Sequence, residues 1–448
     1  MKEKELFDKA DLAAGALAGK GAQGFDVYVR SSASTGVEVK DQALDAFEEA
    51  DTWGVGVRVM LDGGRMGFAW SSGSDEAVKD AALLAIENAK SSEPDAHNNF
   101  PVPPEGYPAW DEYDEGHSEI GEQEKIARAV ELEKAALEFD PRVGKVRKSS
   151  ASFSSAGWAL VSSTGVRAAS RGTYFSCGIM VVAEESGDSQ MGYDFDFKRS
   201  YKDMGYAAVG RKASERAVSL LGARPATSGV FPVVLENIIT SEFLGVLAQS
   251  FSAESVLKGK SMLANKVGQQ ALSNLINIVD DGLAPGGAGS RPFDDEGAPS
   301  RRTPLIIEGV LQGFLHNSYT AKRHGSASTG NALRGGFSAQ PSVGPSNLWI
   351  EKGGLTRDEL ISGVSSGLLV QEVLGMHTAN PISGDFSVGV TGQWIEGGKV
   401  AYPVREAAIA GNILGIFSEV EAVADDLRAV GRLGAPTILL RPISVSGS

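Results

Sequence analysis

Cysteine is almost missing from this chain: Cys177 is the only one among 448 residues. An internal disulfide is therefore impossible, and a cysteine-built zinc or iron–sulfur site is all but excluded. Histidine is scarce too, with five (His97, His117, His316, His324 and His377). None is followed by Glu or has a second His three to five positions away, so the commonest zinc-peptidase helix, His-Glu-x-x-His, is absent. Positive charge is not in excess: 42 Lys and Arg face 57 Asp and Glu, for a net charge of -15. Such a chain repels phosphate backbones, and direct nucleic-acid binding is not expected. No apolar run approaches the ~18–20 residues of a membrane span. The start, Met1 to Phe7, is charged in both signs and lacks the apolar stretch of a secretory signal. These absences predict a soluble, cytoplasmic protein with no membrane association.

Glycine, by contrast, is plentiful: 55 residues without a collagen-like period, which points to many tight turns between short strands. The patterning reads as α+β. An N-terminal α/β domain with antiparallel strands (1–92) leads into an acidic, proline-rich linker (93–117), a middle α+β segment (118–225) and a Gly-rich, strand-rich C-terminal domain (226–448). Leu6, Ala10, Ala13 and Leu17 recur at helical spacing. Strands are expected over 25–30, 36–40, 53–60 and 65–69, the last two joined at Asp62-Gly63-Gly64, a strong hairpin turn. Ser74 reads as the N-cap of a helix to about Lys90. Residues 93–124 hold ten carboxylates and five prolines but no Lys or Arg, the mark of a linker or a surface-draped loop. Helices follow at 118–139 and 206–221, with strand-like runs at 146–153, 158–162, 166–171 and 173–184 between them. The C-terminal part opens with a strand over 230–235 and a helix over 238–250. Cys177, in an apolar run, reads as a buried strand residue rather than a nucleophile.

Several apparent motifs fail on context. Leu257-Lys258-Gly259-Lys260-Ser261 lacks the upstream glycine of a phosphate-binding loop, since position 254 is Glu. Gly363-Val364-Ser365-Ser366-Gly367 spells a nucleophile elbow, but a helix-like segment precedes it and a strand-like one follows, the reverse of the order an elbow needs. His316 and His324 are eight apart and read as polar residues of strands or turns. A stronger constellation is Asp280-Asp281 followed by Asp294-Asp295-Glu296. These five acids could bind a hard cation or a substrate amine, or simply shape turns and pair with Arg301 and Arg302. Ser326 to Gly336 is dense in small donors and acceptors and could cradle a peptide backbone.

The order of these motifs carries a resemblance. Gly54-Val55-Gly56-Val57-Arg58-Val59 comes first, then Phe293-Asp294-Asp295-Glu296-Gly297, Gly309 to Phe314, Tyr319 to Arg323, Ser328-Thr329-Gly330-Asn331, Gly384-Asp385-Phe386-Ser387 and Pro403-Val404. Taken together the chain resembles the TldD/PmbA family, long described as modulators of DNA gyrase and now regarded as peptidases. In that family the TldD kind carries a His-Glu-x-x-x-His helix and a C-terminal Cys that bind zinc, and the PmbA kind, also called TldE, lacks them. The corresponding helix here, 238–250, has no His, and 425–437 has no Cys, so the resemblance is to the PmbA/TldE branch. It implies that this chain holds no catalytic or metal-ligating residues and no cofactor of its own. A TldD-type partner subunit would supply the zinc in a heterodimer enclosing a chamber, acting on short or unfolded peptides. The loops at Asp294, Asp295 and Glu296 and at Ser328, Thr329 and Asn331 are expected to face that chamber as substrate contacts. Two alternatives stay open: a self-sufficient homodimeric peptidase using a metal at the 280–296 carboxylates, and a non-enzymatic regulator of gyrase or a toxin–antitoxin system.

Overall fold

The computed structural model describes residues 1–447. Six strands form one antiparallel sheet in the order β3-β2-β1-β4-β5-β6: β1 (Gly24–Lys40), β2 (Ala43–Leu61), β3 (Arg65–Ser71), β4 (Val143–Ser162), β5 (Arg167–Glu185) and β6 (Asp188–Lys198). β1 pairs with β4 from Asp26↔Ser162 to Val39↔Ser149, so the expected division between 1–92 and 118–225 runs through a single sheet. The strands are also longer than expected. The runs at 25–30 and 36–40 are one strand, because Ser31 to Thr35 continue the pleat; Ser32 meets Thr52 across the ladder at 2.8 Å. β4 and β5 each fuse two expected strands in the same way. β6 is an additional strand, formed by the alternation Tyr193-Asp194-Phe195-Asp196-Phe197.

One face of the sheet is covered by helices in two pairs. α1 (Glu3–Ala16) and α2 (Asp75–Lys90) pack on Val27, Val29, Val55, Val57 and Val59. α3 (Glu122–Leu137) and α4 (Tyr206–Ser219) pack on Val37, Phe153, Phe175, Cys177 and Ile179. The alanine-rich inner faces of α2 and α4 let each helix lie close to the strands. Ser74 caps α2 by accepting from the Ala77 N–H.

From β7 (Arg224–Pro225) and β8 (Gly229–Leu235) onward the chain builds a seven-stranded mixed sheet and a second, six-stranded sheet. α5 (Asn237–Ala248) lies in the core they share, with Ile239, Phe243, Leu244 and Leu247 fully buried and Phe243 edge-on to Phe386 at 5.1 Å. Among the described residues no helix is long and apolar enough to cross a membrane.

The two halves meet where Gly54 and Gly56 need to be glycines. A Cβ on Gly54 would sit 2.4 Å from the Phe337 ring, and one on Gly56 2.3 Å from the Phe337 carbonyl oxygen. Beside them Phe293 packs among Tyr28, Trp158 and Leu160. The acidic 93–117 segment is draped across this junction. Tyr319 donates to Asp95 at 2.9 Å, Asn99 to the Ser318 carbonyl at 3.1 Å and Tyr107 to the Gly297 carbonyl at 2.9 Å.

Candidate functional site

Of the carboxylates singled out from the sequence, Asp280, Asp294, Asp295 and Glu296 are buried, and Asp295 and Glu296 are matched to arginines at the junction. Glu296 accepts from Arg58 Nη1 at 2.9 Å and from the Ser318 N–H at 2.9 Å. Arg58 also grips Asp26, with Nε at 3.0 Å from Oδ2, and Asp26 accepts from Arg334 Nη2 at 2.9 Å. The Arg334 N–H donates to Asp295 at 2.7 Å, and Arg291 Nη1 closes the chain on Asp295 at 2.5 Å. Three acids thus alternate with three arginines, all under 9% exposed. Burial alone would raise the Asp26 carboxyl, but Arg334 and Arg58 hold it below its usual value. Asp294 instead accepts three backbone N–H groups, from Glu296, Ala298 and Ala332, each at 2.9 Å. Burial, with Glu296 beside it, still pushes Asp294 up to about 7. Burial likewise lifts Asp280 to about 6, although Asn331 Nδ2 donates to it at 2.6 Å and the Ser346 N–H at 2.8 Å.

This corrects the reading of the acids as partners of Arg301 and Arg302. Arg302 pairs with Glu351 and Arg301 reaches the Thr329 carbonyl. Asp295 pairs with Arg291 four positions before it, whereas the partner of Glu296, Arg58, lies 238 residues away in the chain, beyond any spacing rule. The hydroxyl cluster also turns inward. Thr329 Oγ1 accepts from the His316 N–H at 2.7 Å, Ser328 Oγ donates to the His316 carbonyl at 3.2 Å, and Asn331 holds Asp280 and the Gly344 carbonyl. These side chains brace the 316–346 loops.

Of the expected site residues, Glu296 lines a cleft. That cavity, about 440 Å³, opens between the halves: Arg58 and Met66 on one wall, Asn98 and Asn99 from the draped segment, and Lys258, Tyr319 and Arg323 on the other wall. His316 stands behind it, edge-on to His324 at 5.3 Å, with Nδ1 3.2 Å from Thr320 Oγ1. Burial, then the His324 charge, pushes His316 down to about 4, so it is neutral at physiological pH.

α5 is the helix on which the family resemblance would place zinc ligands. Ser241 turns its hydroxyl back to the Asn237 carbonyl at 3.0 Å, and Glu242 is the helix's one carboxylate. Burial, then the Glu372 charge, pushes Glu242 up to about 7. One carboxylate and no imidazole do not fit zinc, which takes three or four N, S or O ligands. Among the described residues no three His, Cys, Asp or Glu side chains gather as a metal-binding group. The Glu242–Glu372 approach, like Arg58 and Arg334, left no signal in the local sequence.

Three family models match the chain: PmbA/TldA metallopeptidase domain 1 over 25–89, the central domain over 115–221 and the C-terminal domain over 228–447. The chain is 27% identical to the Escherichia coli metalloprotease PmbA over 450 residues, covering 99% of this chain and 97% of that one. It is 29% identical to a Haemophilus influenzae metalloprotease TldD homolog over 396 residues, covering 83% and 79%. A solved Thermotoga maritima protein named for modulation of a DNA gyrase superposes with a TM-score of 0.91 at 26% identity, covering 98% of this chain and 100% of that one. TldE from Thermococcus kodakarensis shares the fold, with a TM-score of 0.89 at 24% identity, covering 98% and 99%.

Proposed function

The chain belongs to the PmbA/TldD metallopeptidase family, and within it we propose that this protein is the zinc-free, PmbA/TldE-type subunit of a heterodimeric peptidase. A TldD-type subunit supplies the zinc, and the pair cleaves short or unfolded peptides in the cytoplasm. The observation that carries this reading is the surface of α5, where the helix offers Glu242 and Val246 and no imidazole. The junction acids support the same reading: Asp26, Asp295 and Glu296 are each committed to an arginine rather than open to a hard cation.

In such a pair this chain contributes shape and polar contacts rather than the nucleophile. The zinc of the other subunit would lower the pKa of its bound water toward neutrality. The cleft walled by Arg58, Glu296 and Tyr319 is a fixed polar surface, held by buried ion pairs, against which a peptide can lie.

The test is assembly and metal content. Co-purified with the His-Glu-x-x-x-His paralogue of the same genome, this chain is expected to elute as a one-to-one complex holding one zinc per pair, and to hold none when purified alone. A stoichiometric metal in the isolated chain would overturn the proposal in favour of a self-sufficient enzyme.

A further inference from the structure

The face of the large sheet opposite the helices is not fully covered. Over its middle lies a groove of about 420 Å³ that crosses β2, β1, β4, β5 and β6. Its floor is small and polar: Gly36 on β1, Ser150 and Ser152 on β4, Ser176 and Gly178 on β5, each half-buried. Phe195 and Phe197 on β6 form one wall, and Gly431 of the C-terminal half stands on the rim. Five strands at about 4.8 Å spacing make the groove about 19 Å long, room for about five extended residues at about 3.3 Å each.

The two ends of the groove differ in charge. At the β2 end Glu48 is exposed and no cation pairs with it among the described residues; Glu38 nearby is already held by Lys148. At the β6 end are two arginines with no carboxylate in ion-pair reach among the described residues. Arg199 is 4% exposed, and its Nε and Nη2 have no hydrogen-bond partner. Its Nη1 makes only long contacts, 3.3 Å, to the carbonyls of Gly287 and Ser290. The guanidinium lies over the Tyr174 ring at 4.6 Å, and that ring meets Phe197 of the groove wall at 6.2 Å. A Cβ on Gly172 would fall 2.6 Å from Arg199 Nη2 and 2.9 Å from the Tyr174 hydroxyl. Both groups therefore lie over the row of β5 that continues through Ser176 and Gly178 into the groove.

Arg432 is the second. It follows the rim residue Gly431, is half-buried, and spends one N–H on the Pro345 carbonyl at 3.2 Å. Tyr174, Arg291, Asp295 and Asp280 act on it electrostatically. The two acids are already occupied, Asp295 by Arg291 and Asp280 by Asn331. In a protein of net charge -15, two buried or half-buried arginines without acidic partners form a site that lacks its anion.

We propose that this groove binds a free peptide of about five residues in extended form, its C-terminal carboxylate at Arg432, Tyr174 and Arg199 and its N-terminal ammonium at Glu48. The inference rests on the peptide-processing reading above and adds to it a length and a polarity. A bidentate guanidinium contact selects carboxylate geometry, and a floor of serine and glycine admits small side chains while the Phe195–Phe197 wall takes apolar ones. The groove would thus select peptides with both termini free, and would disfavour internal stretches of a longer chain.

The experiment is calorimetric titration of the full chain with the pentapeptide Ala-Ser-Ala-Ser-Phe, its C-terminal amide and its N-acetyl form. The free peptide is expected to bind, the amide to bind about tenfold or more weakly, and the N-acetyl form a few-fold more weakly. Arg432→Gln should abolish the preference for the free carboxylate. Glu48→Gln, an exposed change that leaves the fold intact, should abolish the preference for the free amine. Equal binding of all three peptides, or no binding, overturns the proposal. Inorganic phosphate binding more tightly than the peptide, with the same Arg432 dependence, also overturns it by making the site a phosphate site. Hydrolysis by the reconstituted pair does not enter these affinities, so the two readings fail separately.

Discussion

Arg58, on β2 of the N-terminal half, donates to Glu296 of the C-terminal half across 2.9 Å while its other nitrogens hold Asp26 of β1. A single guanidinium therefore ties a strand pair to the loop that forms the cleft wall. Guanidinium–carboxylate contacts of this kind are strong where water is absent, and severing one leaves a buried charge without a partner.

Replacing Arg58 should accordingly be among the costliest substitutions in the molecule. Arg58→Ala leaves Glu296 without a cation and Asp26 with Arg334 alone, and we expect a loss of about 3–5 kcal/mol in stability. A lowered denaturant midpoint, with the near-ultraviolet signal of the Phe293–Trp158 junction lost first, would show it. An unchanged midpoint would mean that solvent reaches the junction.

The contact of Phe337 with the two glycines predicts a specific coupling. Gly54→Ala meets the Phe337 ring and should cost about 1–3 kcal/mol; in the double variant with Phe337→Ala most of that cost should vanish. Gly56→Ala meets the Phe337 carbonyl, which the second substitution leaves in place, so its cost should persist. Additive effects in both pairs would contradict the packing described.

Thr329 supplies a contrast between bracing and binding. Its hydroxyl bonds only the His316 backbone. Thr329→Ala should lower stability by about 1 kcal/mol and leave peptide affinity within twofold. A large change in affinity with no change in stability would put the hydroxyl in a substrate site after all.

Two titrating groups give opposite pH signatures. Glu242 is raised to about 7, so the folded state binds more protons than the unfolded one from about 4.5 to 7, and its contribution to stability falls as pH rises through that window. His316 is depressed to about 4, so the unfolded state takes up the proton first, and stability falls as pH drops from about 6.5 to 4. Glu242→Gln should flatten the first limb and His316→Gln the second, read from denaturant midpoints across pH. If each variant altered the other's limb, the assignment would be wrong.

Much of this architecture was legible in the residues. The spacing of Leu6, Ala10 and Ala13, the Ser74 cap and the turn at Gly63 and Gly64 correspond to observed elements. The full strand lengths are not legible because Ser31 to Thr35 and Ser154 to Gly157 look like turns locally. They are held extended by ladders to neighbours more than a hundred positions away, in the case of β1 and β4. The acids at 294–296 could be singled out by composition, but apart from Arg291, four positions before Asp295, their charged partners could not. Arg58 reaches Glu296, and Arg334 reaches Asp26, only because Gly54, Gly56 and Phe337 bring the two halves into contact, and no local pattern encodes that approach. Arg432 and Arg199 stayed invisible for the converse reason: what marks them is an acid that is not there.

The most direct test of the central claim is peptide hydrolysis by the purified chain alone, by the His-Glu-x-x-x-His paralogue alone, and by the two mixed, each with and without a zinc chelator. Cleavage that needs the mixture and is lost to the chelator is the predicted result. Chelator-sensitive cleavage by this chain on its own would contradict the account, because it would require a metal site that neither α5 nor the junction carboxylates provide.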